Sequence, residues 1–443
     1  MKQKIFLLFF FLISFSVLSQ KGFEIKDGSK KVVIPIKLLN NLVFIKLKVN
    51  KKELVFLLDS GAKETVLFGL LQDKKQIELK KIEKVKLRGL GSEESIDGLK
   101  STGNVLEIKD LKSTNHLMYV ILDQNFNLSS HIGMPVNGII GYALLKNNLV
   151  EISYSKKKLY IYPNNKRNRK RLNRKFERIV ISVEEFRPYL TTKLTTVSQE
   201  LSAKLLIDSG NSDALWLFKE ENDKIVIPKE SFDDYLGKGL SGTVIGKRGN
   251  IKELNIADFK FNNLIGAFPD SSSIKYLNKV PDRVGSVGSE ILKRFTVIFD
   301  YPNSFLYLRK NKQFDAPFSF NRSGIEIKHA GIEQSTVVSA SETIPIIVDT
   351  FDRTKEDKKA NLEYKFVITP IYIIENIRGS SAAAKSGLSK GDRMISINSQ
   401  GLRRFTLEEI NLLLKKEHGN WVTIVVDRNG KLLKFWFQLV DDF

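Results

Sequence analysis

The chain has 443 residues, too many for one ordinary core, and its 42% hydrophobic and 27% charged residues are those of a folded globular protein. It contains no cysteine, which excludes thiol nucleophiles, zinc–thiolate sites, disulfides and attachment through a lipidated cysteine. The net charge of +21 suits an anionic envelope surface or acidic partners, and the abundance of Lys, Asn, Ile and Phe is also what a bias toward A- and T-rich codons produces.

In chain order, Lys2 and Lys4 precede the uncharged apolar run Ile5 to Leu18, with Ser19 near a cleavage point. This is the pattern of a signal peptide over residues 1–19. The run is shorter than the ~20 residues that a membrane span needs, so cleavage and export to the periplasm or beyond are expected. Export argues against nucleic acid as a partner.

Val32 to Leu38, Leu42 to Val49 and Glu53 to Leu58 are apolar, β-branched runs that read as strands, and Val66 to Leu71 and Ala143 to Lys146 as short helices. An internal repeat then stands out. Leu57-Leu58-Asp59-Ser60-Gly61 returns as Leu206-Ile207-Asp208-Ser209-Gly210, 149 residues later. Ile139-Ile140-Gly141 with Leu144, Leu145, Val150, Tyr154 and Tyr160 returns as Ser286-Val287-Gly288 with Ile291, Leu292, Val297, Tyr301 and Tyr307, at an offset of 147. Two ordered matches at nearly one offset predict two similar all-β lobes, residues 20–165 and 176–313. Between them, Lys166 to Lys175 carries seven basic residues in ten and reads as an exposed connection.

A pseudo-two-fold axis between such lobes would bring Asp59 and Asp208 together. Two carboxylates a few ångströms apart do not both ionise cheaply, so they share a proton, one acting as general base and the other as general acid on a water between them. Gly61 and Gly210 leave room for close backbone approach, and Ser60 and Ser209 can hydrogen-bond across the interface. One Asp-Ser-Gly is an ordinary turn; its duplication with a matched apolar-apolar-Gly segment is the informative feature.

From about residue 30 to 312 this arrangement resembles the pepsin and retropepsin superfamily, most closely the bacterial aspartyl-protease-family proteins. The resemblance implies a mainly β, bilobal, pepsin-like fold of two β-barrel-like lobes. It implies an aspartic endopeptidase with Asp59 and Asp208 catalytic, Ser60, Gly61, Ser209 and Gly210 supporting, a polypeptide substrate, and no metal or cofactor. A β-hairpin flap is implied around Gly89, Leu90 and Gly91, with a counterpart from Leu240 to Gly249.

The third unit, residues 314–443, begins with the linker Phe314 to Pro317 and has a polar insertion near 333–363 expected to be a surface loop. The run Gly379-Ser380-Ser381-Ala382-Ala383 through Gly387 to Asp392, followed by Ile395-Ser396-Ile397-Asn398, resembles a bacterial PDZ domain, of α+β type. That resemblance implies an extended peptide or a protein C-terminus bound beside a helix. The free amides of the loop Ser323-Gly324-Ile325-Glu326-Ile327 would hold the carboxylate, and the helix Thr406 to Lys416, with Ile410, would form the groove's other wall. The rival reading is a non-catalytic peptide-binding protein with degenerate lobes. A monomer is expected. His116, His131, His329 and His418 stand in no metal-ligand spacing, and no Gly-x-Ser-x-Gly elbow occurs.

Overall fold

The computed structural model describes residues 22–26, 30–69, 77–87, 95–123, 126, 128–197, 199–239, 242–275, 277, 280–341 and 361–441. The protein is mainly β.

The first lobe contains β1 (Val32–Pro35), β2 (Leu42–Val49), β3 (Lys52–Leu58), β4 (Thr65–Leu67), β5 (Ile82–Leu87), β6 (Ile96–Ile108), β7 (Leu111–Ile121), α1 (Leu128–Ile132), β8 (Gly138–Ile140), α2 (Tyr142–Leu145), β9 (Leu149–Ser153) and β10 (Lys158–Tyr162). After α3 (Lys166–Leu172), the second contains β11 (Glu177–Val180), β12 (Arg187–Thr195), β13 (Glu200–Ile207), β14 (Leu215–Leu217), β15 (Ser231–Gly239), β16 (Gly242–Ile256), β17 (Phe259–Pro269), β18 (Arg283–Val287), α4 (Ser289–Leu292), β19 (Phe295–Asp300) and β20 (Phe305–Lys310).

The two lobes share a pairing scheme. In the first, β3 pairs β2 antiparallel and β8 parallel, β4 pairs β8 antiparallel and β7 parallel, and β6 pairs β2, β5 and β7. In the second, β13, β12, β18, β14, β17, β16 and β15 repeat each of these pairings in the same sense. The lobes meet in a third sheet with the order β11-β20-β19-β9-β10-β1, in which each lobe gives the same three elements in reverse order. That sheet is bolted at its centre by β9 against β19, Val150 opposite Phe299 and Ile152 opposite Val297. All four of these residues are fully buried in one core that runs through both lobes.

The C-terminal unit is a sheet of β21 (Ile325–Ser341), β22 (Asn361–Ile377), β23 (Arg393–Ile397), β24 (Trp421–Arg428) and β25 (Lys431–Gln438), in that order, with helices α5 (Ala382–Lys385) and α6 (Leu407–Leu414). Helix α6 begins in a capping box: the Thr406 hydroxyl accepts the Glu409 N–H while the Glu409 carboxylate accepts the Thr406 N–H. Its apolar face, Leu407, Ile410 and Leu414, buries into a separate core with Ile325 and Ile327. No helix among the described residues is long and apolar enough to cross a membrane.

Several local expectations change. Val66 to Leu71 is not helical where described: Thr65–Leu67 is a strand held between β7 and β8, because Thr65 and Val66 are β-branched and tertiary pairing outweighs a short helix. The basic connection is helical over Lys166–Leu172, capped by the Asn165 side chain and anchored by buried Leu172. Phe314 is no free linker, since it packs on Phe261 and Phe295 at 5.3 and 5.4 Å and Arg294 donates to its carbonyl. The insertion is no loop where described. From Glu333 to Ser341 and from Asn361 to Glu363 the chain is a two-stranded ribbon, Ser341 opposite Asn361. Its polar sequence shows no strict apolar alternation, which concealed the strands. Residues 342–360 and residues 1–19, expected to be a signal peptide, lie outside the described residues.

Candidate active site and peptide groove

Asp59 and Asp208 sit one residue beyond β3 and β13. Each is suspended from the parallel strand beside it: Asp59 N–H donates to Ile140 O and Asp208 N–H to Val287 O, both at 2.9 Å. Gly141 and Gly288 follow those strands and press against the loops bearing the acids, and in turn the Tyr142 N–H donates to Ala62 O and the Ser289 N–H to Asn211 O.

The two loops lock together through four hydrogen bonds. Ser60 Oγ donates to Ile207 O at 2.6 Å and accepts the Ser209 N–H at 2.9 Å. Ser209 Oγ donates to Leu58 O and accepts the Ser60 N–H, both at 2.9 Å. Both serines are fully buried. Ser60→Ala would leave the Ile207 carbonyl and the Ser209 N–H unpaired in this seam, at about 1–3 kcal/mol each. The expected result is a loss of about 2–4 kcal/mol in urea unfolding; a loss under ~0.5 kcal/mol would show that the seam does not hold the lobes.

The carboxyls face each other above this seam. Gly61 N–H donates to Asp59 Oδ1 at 2.7 Å and Gly210 N–H to Asp208 Oδ1 at 3.0 Å. A methyl at Gly61 would stand 3.2 Å from both carboxyl groups, a tight contact, and one at Gly210 would stand 2.3 Å from Asp59 Cγ, so a side chain at Gly210 would displace the Asp59 carboxyl. The two carboxyls act directly on one another. Burial, then the Asp208 charge, pushes Asp59 well above the usual carboxylate range. Burial raises Asp208 as well, against the pull of the Arg283 guanidinium. A pair of this kind holds one proton and one negative charge and can polarise a water lying between the carboxyls.

The expected residues Asp59, Ser60, Gly61, Asp208, Ser209 and Gly210 thus converge. Other contributors were not singled out. Tyr301, fully buried, donates to Ser60 O at 3.3 Å. Ser289 Oγ donates to Ser209 O, and Arg187 Nε reaches across to Gly61 O at 2.9 Å. Tyr301 was visible in the repeat, but isolated basic residues such as Arg187 and Arg283 leave no pattern. Gly89, Leu90 and Gly91 lie outside the described residues. Their counterpart is a hairpin of β15 and β16, with Gly239 opposite Gly242.

In the C-terminal unit Gly324 takes a φ of +74°, where a side chain would also collide with Ser381, and Ile325, Ile327 and Ile410 converge. All three isoleucines are buried core residues. The loop amides are not free. Asn321 Oδ1 accepts the Ser323 and Gly324 N–H groups and the Ser323 hydroxyl, and the Ile325 N–H donates to Ser323 Oγ. A short side-chain acceptor two residues upstream outcompetes water for them.

This unit meets the second lobe through buried charges: Arg378 with Asp234 at 3.3 Å, and Arg248 with Asp234 at 2.6 Å and Asp213 at 3.0 Å. Glu326 lies in the same field. Burial and Asp234 push it up to about 8, against Arg248 and Lys415. Its folded pKa lies above its ordinary value of 4.5, so its contribution is complete in acid and is lost as pH rises toward 8. Wild type is expected to lose stability between about pH 5 and 8 in thermal melts, and Glu326→Gln to flatten that slope. An unchanged slope would place Glu326 in water.

No curated protein matches the chain. Residues 353–427 match the PDZ domain family, a stretch that takes in α5, β23 and α6 and stops short of the Ser323–Ile327 loop upstream. Residues 353–427 of the C-terminal unit therefore belong to a PDZ domain.

Proposed function

We propose that the protein is an exported aspartic endopeptidase of the pepsin and retropepsin kind, with a PDZ domain that binds extended polypeptide or a protein C-terminus. The observation that carries this reading is the reciprocal serine lock, which faces the carboxyls of two repeated Asp-Ser-Gly loops toward each other.

The chemistry follows from the asymmetry of the pair. Arg283 favours the charge on Asp208, so Asp59 keeps the proton. A water held between them gives its proton to Asp208 as its oxygen adds to the scissile carbonyl carbon, and Asp59 protonates the carbonyl oxygen. Collapse of the resulting gem-diol returns a proton to Asp59. The C–N bond breaks, and the leaving nitrogen takes the proton from Asp208. No covalent intermediate and no metal is required. The β15–β16 hairpin would cover the substrate.

The test is to incubate the protein with a diverse peptide library, with and without pepstatin, and to sequence the products. Pepstatin-sensitive internal cuts support the reading. Intact peptides across acid and neutral pH reject it.

A further inference from the structure

A PDZ domain takes its ligand as a strand added to a free sheet edge beside a helix, with the terminal carboxylate on loop amides. Here the edge is β21, which among the described residues pairs only with β22, and the helix is α6. Both ends of the slot between them are covered by the chain itself.

At the carboxylate end, Asn321 mimics a ligand terminus. Its carboxamide oxygen receives the Ser323 and Gly324 amides, and its Nδ2 donates to the Ile325 carbonyl at 2.7 Å, the first acceptor of the edge strand. At the other end, α1 of the first lobe packs against β21. His131 Nδ1 lies 3.2 Å from the Glu375 carboxylate, which also faces Lys328 of β21 at 3.6 Å. The chain then turns through Gly133, at a φ of +76°, so close to the first turn of α6 that a methyl there would stand 2.8 Å from Leu407 Cβ. The same helix turn faces the first lobe, since the Glu408 carboxylate, which burial raises, is acted on by the charge of Lys157, the Asn40 backbone and the charge of Lys37.

The adjacent residue carries the contact onward. Asn41 Nδ2 donates to Ser212 O at 2.9 Å and to Glu290 at 2.8 Å, and Ser212 lies four residues beyond Asp208 on its loop. We propose that the PDZ groove is held shut by the chain's own first lobe and by Asn321, and that an extended C-terminal peptide opens it by displacing α1 and the Asn40–Asn41 turn. This rests on the reading of the PDZ domain as a peptide binder. The occupant is a free C-terminus because the seat that Asn321 fills is built from backbone N–H donors, which suit a carboxylate.

A ligand that binds only the open form has its affinity reduced by the fraction of molecules that are open. The experiment uses the whole chain in an Asp59→Asn background, so that no peptide is cut. Fluorescent short peptides of random sequence with free C-termini are titrated into the parent, into Gly133→Ala, into the His131→Ala/Glu375→Ala pair and into Asn321→Ala, with C-terminally amidated peptides as controls. Hydrogen exchange at residues 128–132 and 325–329 is read in parallel, and only variants that melt as cooperatively as the parent are compared.

The expected result is binding tightened by about tenfold or more in the opening variants, abolished by amidation, with faster exchange at α1 when peptide binds to the parent. Equal affinity in the parent and the opening variants would mean that the groove already stands open; the inference falls and the PDZ reading survives. Variants whose α1 is released by exchange but which bind no peptide would overturn both.

Discussion

Asp59→Asn and Asp208→Asn are each expected to reduce peptide hydrolysis by about 10³- to 10⁵-fold, and the double variant to be little worse than either. Asparagine is nearly the same size and keeps the hydrogen bond from Gly61 or Gly210, so the loops should survive. It cannot take a proton from water, and the two acids act on one water, so removing the second removes nothing that still functions. The wild-type pH profile should be bell-shaped, with both limbs belonging to the pair. Because burial raises both acids, the bell should lie above the range of an ordinary carboxylate. Stability supplies an independent sign. A folded pKa raised above the unfolded one gives stability that is complete in acid and declines as pH rises. Asp59→Asn should therefore melt higher than wild type at neutral pH, with the advantage vanishing in acid. Near wild-type turnover in either single variant would refute the two-acid mechanism.

What the sequence made legible was whatever the repeat preserved. Asp59 and Asp208 could be paired because each copy keeps an apolar strand, an acid, a hydroxyl and a glycine, followed at nearly the same distance by a strand ending in glycine, Ile139-Ile140-Gly141 or Ser286-Val287-Gly288, whose carbonyl accepts the acid's N–H. Duplication turned a common tripeptide into a signal. Arg283 and Arg187 were illegible for the converse reason. They break the two-fold and belong to no motif, and Val136 stands 147 residues before Arg283, at the offset that relates the two glycine-bearing strands. The ribbon of β21 and β22 escaped notice because its sequence has no strict apolar alternation, and even the isoleucines Ile332 and Ile368 stand 63% and 57% exposed, so there is no burial period to read. The covered groove could not be read at all. Which turn lies over an edge strand depends on how separate parts of the chain dock, and His131 and Gly133 are ordinary residues until that docking exists; Asn321 acts locally, on amides two and three residues away, but a single asparagine in a loop leaves no pattern.

The other large effect should come from a single methyl far less conspicuous than a carboxylate. Gly141 follows β8 and passes under the loop that carries Asp59. A Cβ there would lie 2.0 Å from Asp59 O and 2.4 Å from Ala62 O. Neither neighbour is a side chain that could rotate away. Both carbonyls are also engaged, Asp59 O by the Ala62 N–H and Ala62 O by the Tyr142 N–H. To admit the methyl, the loop must retreat by about 1 Å from the strand that positions it, a displacement that by itself can lower a rate about 10²-fold. Overpacking against backbone of this kind belongs to the small class of substitutions that cost more than about 4 kcal/mol. Gly141→Ala is therefore expected to unfold at markedly lower temperature and, where folded, to have lost turnover. Gly288→Ala should behave alike, since its methyl would stand 2.3 Å from Asp213 O on the opposite loop. Gly379→Ala is the matched control, because nothing lies within 4 Å of a Cβ there. Thermal melts of the three variants decide the matter. If Gly141→Ala melts with Gly379→Ala and wild type, the glycine does not underlie the acid's loop, and the packing that sets Asp59 against Asp208 is wrong.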